Sequence, residues 1–243
     1  MAARLTRPAA VLLDMDGTLL DSEPLWSAAA RHLAEGQGRP WSTFDDREIV
    51  GWSIPAVAAY LRGRGVGQDE DWIVDQLHAR VGAAMLDALP WREGALELLT
   101  LLRDADVPVA LVTMTYRRLA DLVLRAAPPG TIQVLVTGDD VKRGKPHPEA
   151  YRTAAQRLGV DAKDCVAVED SPTGIASALA SGAWTYAVDP SQPVSASRGV
   201  DLVLECVDGL GPVIAGLRER LGAPVPEAAA AVGALGRPDT TRT

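Results

Sequence analysis

Five stretches of the chain are apolar almost without interruption: AAVLLD (9–14), VPVALVT (107–113), IQVLVTG (132–138), CVAVED (165–170) and WTYAV (184–188). A shorter DLVLE (201–205) adds a candidate sixth strand. Continuous rather than alternating apolarity predicts strands covered on both faces, as in a parallel sheet. Between them the period changes. In REGALELLTLLRDA (92–105), Ala95, Leu98, Leu99 and Leu102 recur at helical spacing, and 116–126, 148–158 and 172–181 behave similarly. Alternation of strand and helix predicts an α/β fold with right-handed crossovers.

Residues 22–88 break that rhythm. They carry several helical patterns, no convincing strand, and four of the six tryptophans: Trp26, Trp41, Trp52 and Trp72. The expected organisation is therefore an α/β core from 1–21 and 89–222, an all-helical domain at 22–88 inserted between the first two strands, and a flexible Ala/Gly/Pro-rich tail at 223–243. The tryptophans of a small helical domain serve as core anchors, the expectation for Trp41 and Trp72; Trp26 and Trp52 are equally candidates for contacting a substrate.

Composition narrows the function classes. At 47% hydrophobic and 23% charged residues the chain reads as globular. The net charge of −8, with no basic block, argues against a nucleic-acid partner. An anionic substrate would need locally placed positive charge. No apolar run approaches the roughly 18 residues of a membrane span, and the N-terminal apolar stretch ends early at Asp14, a poor signal peptide. No membrane partner and a cytoplasmic location are expected. Cys165 and Cys206 lie in apolar runs, without metal-ligand spacing, and are expected as two reduced thiols in the core.

The candidate chemistry collects at the strand ends. The first strand ends in Asp14, and Asp16 follows two residues later. Two unit charges about 4 Å apart repel by roughly 4 kcal/mol at an effective dielectric near 20, so a cation is needed to offset them. The second strand ends in Thr113, followed by Met114 and Thr115; the loop after the third brings Lys145; the fourth ends in Glu169 and Asp170. In an open parallel sheet these ends share one edge, where ligands bind. Each signal alone has an ordinary reading: a turn for Asp-Gly, a solvated loop for Lys145, a backbone-satisfied hydroxyl for Thr113, helix-start electrostatics for Glu169 and Asp170. What is unusual is that all fall on one edge.

Together they suit phosphoryl transfer. Asp14 and Asp170, supported by Glu169, supply the hard oxygens that Mg²⁺ prefers. The Thr113 hydroxyl, the backbone amides after it and Lys145 suit a phosphate. Asp14 is placed to attack phosphorus, and Asp16 to protonate the leaving oxygen and then activate water.

These residues stand in four ordered segments: DMDGTLLDSEPLW (14–26), LVTMT (111–115), RGKPHPEAY (143–151) and VAVEDSPTGI (166–175). Their order and spacing resemble the haloacid dehalogenase-like superfamily, over residues 9 to about 205. They are most similar to the branch of β-phosphoglucomutase and sugar-phosphate phosphatases, which has a helical cap. The resemblance implies a Rossmann-like core, Mg²⁺ as cofactor and an aspartyl-phosphate intermediate. By position Asp14 matches the nucleophile, Asp16 the general acid/base, Thr113 the phosphate-binding hydroxyl, Lys145 the family lysine, and Glu169 with Asp170 the metal carboxylates. The metal would also take the Asp16 backbone carbonyl. Met114 departs from the family's Asn or Ser, but its backbone amide can still bind phosphate.

In the cap, GWSIPAV (51–57) resembles the loop that in the mutase holds a second phosphate through arginine; here that position is Ile54. Simple hydrolysis of a small phosphorylated metabolite, such as a sugar phosphate, is thus expected over a mutase. A metal-free dehalogenase is disfavoured by Glu169 and Asp170. Schiff-base phosphonate cleavage is disfavoured because no lysine occurs between residues 22 and 91. A non-catalytic binding protein would tolerate loss of the nucleophile or metal carboxylates, and none is lost. A nucleotide-sugar transferase would not need the later Lys and Glu-Asp segments. A monomer or small homo-oligomer is expected.

Overall fold

The computed structural model describes residues 7–49, 52–189 and 204–223 of the chain. Its centre is a six-stranded sheet, all parallel, with strands β1 (Ala10–Leu13), β2 (Val109–Val112), β3 (Val134–Val136), β4 (Cys165–Glu169), β5 (Trp184–Ala187) and β6 (Leu204–Cys206) in the order β3-β2-β1-β4-β5-β6. This is the Rossmann-like α/β core, with an all-helical cap inserted. β1 lies between β2 and β4, with Leu13 opposite both Leu111 and Val168. The chain order reverses direction across the sheet at β1. That reversal opens a crevice at the carboxyl end of β1.

The continuous apolarity of the strands has the expected cause: β1, β2 and β4 are buried along their whole length. Successive side chains alternate between the faces. Val11 and Leu13 face a large cluster with α5 (Ala95–Asp104), α6 (Arg117–Ala126) and α9 (Gly211–Leu221). Ala10 and Leu12 face a smaller, alanine-rich cluster with α7 (Glu149–Arg157) and α8 (Pro172–Ser181). Small residues there (Ala110, Ala150, Ala154 and Ala167) let α7 lie close to the sheet. That approach carries Tyr151 to the site described below.

The cap comprises α1 (Glu23–Glu35), α2 (Thr43–Glu48), α3 (Ile54–Gly63) and α4 (Glu70–Asp87). Its apolar stripe, including Leu33, Leu61, Ile73, Leu77 and Met85, is continuous with the larger cluster of the core. Ser42 caps α2 in a reciprocal box with Asp45, each satisfying the other's backbone amide. Ile54, the apolar residue at the expected cap-loop position, packs partly buried against this cluster.

Two expectations are corrected. Cys165 is buried, but Cys206 is exposed: β6 is the sheet's edge strand, paired only with β5 among the described residues. Trp72 is 39% exposed rather than a core anchor, whereas Trp41 packs partly buried as expected. Trp72 sits in the first turn of α4, on the face away from buried Ile73 and Leu77. The candidate strand at 201–205 begins at Leu204 within the described residues, and the expected tail at 223–243 lies outside them except for Ala223. No helix among the described residues is long and apolar enough to cross a membrane.

Candidate active site

At the carboxyl end of β1, the Asp14 amide still donates into the ladder, to the Val168 carbonyl at 3.0 Å, so its side chain is held by the sheet itself. Glu169 is the last residue of β4, the neighbouring strand. Lys145, on the loop before α7, reaches between them. Its Nζ lies 2.5 Å from Asp14 Oδ1, 2.5 Å from Glu169 Oε1 and 3.0 Å from the Val112 carbonyl. Burial alone would lower the lysine's pKa, but the charges of Asp14 and Glu169 outweigh it and hold the ammonium protonated above its ordinary range.

Glu169 is fully committed. Oε1 also accepts from Tyr151 at 2.8 Å, and Oε2 accepts from the Asp170 and Ser171 amides and the Ser171 hydroxyl. Burial, then the charges of Glu169 and Asp14, push the Tyr151 phenol well above its usual value, so it remains a donor. Among the described residues, the Asp170 side chain accepts only a 3.2 Å bond from Thr18. Asp14 Oδ2 is buried and has no hydrogen-bond partner among the described residues. Burial and then Glu169 raise the Asp14 pKa well above the carboxylate range, and the same two causes push Asp170 up to about 7.

Two glycines make this crowding possible. Gly17, at φ +83°, turns the chain after Asp16, and a Cβ there would stand 2.0 Å from Asp170 Oδ2. In the first turn of α8, a Cβ on Gly174 would meet Glu169 Oε1 at 1.9 Å. Neither position admits a side chain without displacing a carboxylate.

Asp16 sits apart from that cluster, in a ring of hydroxyls. Ser22 donates to Oδ1 at 2.6 Å; Thr113 and Thr115 donate to Oδ2 at 3.0 and 2.7 Å. Thr113 Oγ also accepts the Thr115 amide, which sets the turn after β2. Met114 contributes its thioether, which accepts the Lys145 amide at 3.4 Å and ties the lysine loop to that turn.

The expected site residues Asp14, Asp16, Thr113, Met114, Lys145, Glu169 and Asp170 thus converge on one sheet edge. Trp26 and Trp52 do not join them directly. Trp26 stands edge-on to His78 of α4, which in turn stacks on Tyr116 beside the Thr115 turn; Trp52 is 41% exposed and edge-on to Tyr60 within the cap. Ser22, Thr18, Thr115, Tyr151 and Ser171 were not singled out from the sequence as site residues. Hydroxyls are too frequent to signal a site by type, although all five lie within the four ordered segments and Thr115 and Tyr151 end two of them.

Asp14, Glu169 and Asp170 each offer an oxygen within 4.8 Å of the others. All are hard donors of the sort that suits Mg²⁺. Three carboxylates against one ammonium leave two negative charges, the charge of one divalent cation. With the orphaned Asp14 oxygen, this donor set fits a metal.

A model of haloacid dehalogenase-like hydrolases matches residues 8–182. The chain belongs to that family. Relatives of the family bear on its chemistry. Hexitol phosphatase A of Escherichia coli is 32% identical over 208 residues, 81% of this chain and 90% of its own length. The phosphorylated carbohydrates phosphatase of Thermotoga maritima is 33% identical over 178 residues, 71% of this chain and 81% of its own. Among solved structures, a family hydrolase of Deinococcus radiodurans with bound phosphate and sodium superposes with a TM-score of 0.65 at 31% identity, covering 91% of this chain and 99% of that one. The present chain is an enzyme of the family, and the two relatives named above are phosphatases.

Proposed function

We propose that the protein is a Mg²⁺-dependent phosphomonoesterase acting on a small phosphorylated metabolite, a sugar or sugar-alcohol phosphate, through an aspartyl-phosphate intermediate. The observation that carries this reading is the buried Asp14 carboxylate, fixed at Oδ1 by Lys145 and without a partner at Oδ2 among the described residues. An idle, desolvated carboxylate oxygen costs stability, and a nucleophile is what such a cost serves.

Asp14 attacks phosphorus and forms the acyl phosphate while the ester oxygen departs. Asp16, oriented by Ser22, Thr113 and Thr115, gives that oxygen a proton and then takes one from the water that hydrolyses the acyl phosphate. When phosphate arrives, the Thr113 hydroxyl and the amides of Met114 and Thr115 turn to its oxygens, with Lys145 close by as fixed positive charge. Asp14, Asp170 and the Asp16 backbone carbonyl are the residues to hold Mg²⁺, with Glu169, already bonded on both oxygens, adding charge behind them. That ion would supply neutralisation of the phosphoryl oxygens. The cap over residues 22–88 would close on the ester and exclude bulk water.

A mutase would need a second anion site in the cap. Ile54 offers none, so hydrolysis is favoured.

The test is Mg²⁺-dependent release of inorganic phosphate from sugar phosphates, sugar-alcohol phosphates, nucleotides and p-nitrophenyl phosphate, with Asp14→Asn and an EDTA blank alongside. Release that disappears in both controls supports the reading. A folded wild-type protein that releases phosphate from none of them overturns it.

A further inference from the structure

His78 is a buried titratable group of the cap that the mechanism above does not use. It is 1% exposed, on the face of α4 that meets the core. Three contacts along that face tie α4 to α6 and its N-terminal residue. Asp75 pairs with Arg118 at 3.0 Å, His78 stacks on Tyr116 at 4.5 Å, and Gly82 lies so close that a Cβ would stand 2.9 Å from Leu119. Trp26 also meets the imidazole, edge-on at 5.4 Å.

Both flanking rings are anchored next to the residues that hold Asp16. Tyr116 follows Thr115, and the Trp26 amide donates to the Ser22 carbonyl one turn back. The ring is thus wedged at the seam between cap and core, within the field of Asp16. Burial lowers the pKa of His78, Arg118 adds to that, and the ring is neutral at pH 7.

Its tautomer is set by its own helix. Nδ1 lies 2.8 Å from the Val74 carbonyl, which can only accept, so Nδ1 carries the hydrogen and Nε2 the lone pair. Nε2, across the ring from that bond and away from the backbone of α4, is buried with no partner among the described residues. A buried acceptor left unpaired costs stability, and a ligand that donates to it recovers that cost. The cap opening that the proposed mechanism requires would uncover this acceptor, and closure would cover it again with a ligand in place.

We infer that His78 is a substrate-binding residue, its Nε2 accepting a hydrogen bond from a hydroxyl of the leaving alcohol. This rests on the phosphatase reading and sharpens it: the cap selects esters of polyhydroxylated alcohols. Trp26 and Tyr116 then hold the imidazole in register. A site built to bond a hydroxyl discriminates against an alcohol that lacks it.

The test compares kcat and KM of the wild type, His78→Phe and His78→Gln on mannitol 1-phosphate and on p-nitrophenyl phosphate, whose leaving group has no further hydroxyl. Phe keeps a flat ring against Tyr116 without an acceptor; Gln restores an oxygen near the Nε2 position. For His78→Phe a loss of roughly 10- to 100-fold in kcat/KM on the polyol ester is expected, with p-nitrophenyl phosphate changed less than about two-fold and partial recovery in His78→Gln. Equal losses on both esters would reduce His78 to a packing residue and overturn the inference. So would no change on either ester, or a wild type that cleaves p-nitrophenyl phosphate and no polyol ester. Failure of the phosphatase reading looks different: the folded wild type then releases phosphate from neither.

Discussion

Asp14 in the core and Asp45 in the cap are both buried, at 5% and 1% exposure, and their surroundings are opposite. Asp45 has its lone pairs filled. Ser42 donates through amide and hydroxyl at 2.8 and 2.6 Å, Tyr60 through its phenol at 2.6 Å, and Arg64 stands 3.0 Å away. The Ser42 and Tyr60 bonds pull its pKa down to about 2. Asp14 has Lys145 on one oxygen and no partner among the described residues on the other, with Glu169 and Asp170 close by, and its pKa is raised. One carboxylate is satisfied by its own fold. The other is held short of satisfaction, which stores reactivity at the expense of stability.

The comparison is sharpest at the nucleophile. Asp14→Asn should lower phosphate release by roughly 10⁴-fold or more, since the residue acts in both chemical steps. Its melting temperature in EDTA should equal or exceed that of the wild type, because a repelled, buried charge has been removed. A clear drop in melting temperature would mean that Asp14 is structural after all.

Removing the cation strains the same cluster. Lys145→Met should reduce kcat/KM by about 10²- to 10³-fold, the range for loss of one preorganised charge. It should also destabilise the metal-free protein, and Mg²⁺ should recover more of that stability than it adds to the wild type. Steady-state kinetics and paired thermal melts check both.

The raised carboxyls predict a pH effect. In the metal-free fold Asp170 titrates near 7, above its unfolded value, so the folded state retains a proton that the unfolded state gives up. The stability it contributes is full below about pH 4 and is lost as pH rises through 7. Mg²⁺ competes with that proton, so its rise in melting temperature should be larger at about pH 8 than at about pH 6. The same rise at both would argue against these carboxyls as the ligands.

Asp45 gives the smallest effect and the opposite sign. Asp45→Asn should cost about 2 kcal/mol and lower the melting temperature by roughly 4–8 °C, while kcat changes little. The depressed pKa of Asp45 gives stability present above about pH 4 and lost as pH falls through about 2, so the gap between variant and wild type should narrow in acid.

The sequence by itself determined the sheet and the chemistry at its edge. Unbroken apolar runs specify buried parallel strands, because only cover on both faces tolerates them, and parallel strands must end on one side. Hence Asp14, Thr113, Lys145, Glu169 and Asp170 could be assigned to one edge from position alone. The ordered segments added the family. Strand periodicity could not show that Cys206 lies exposed on an edge strand, because order within a sheet is set by long-range pairing. Nor could residue type show that Thr113 is turned to Asp16, that Tyr151 closes over Glu169, or that His78 is wedged between Trp26 and Tyr116. Those facts depend on how α7 approaches an alanine-lined face and how α4 lies on α6. Such contacts join residues far apart in the chain, and only packed side chains decide them.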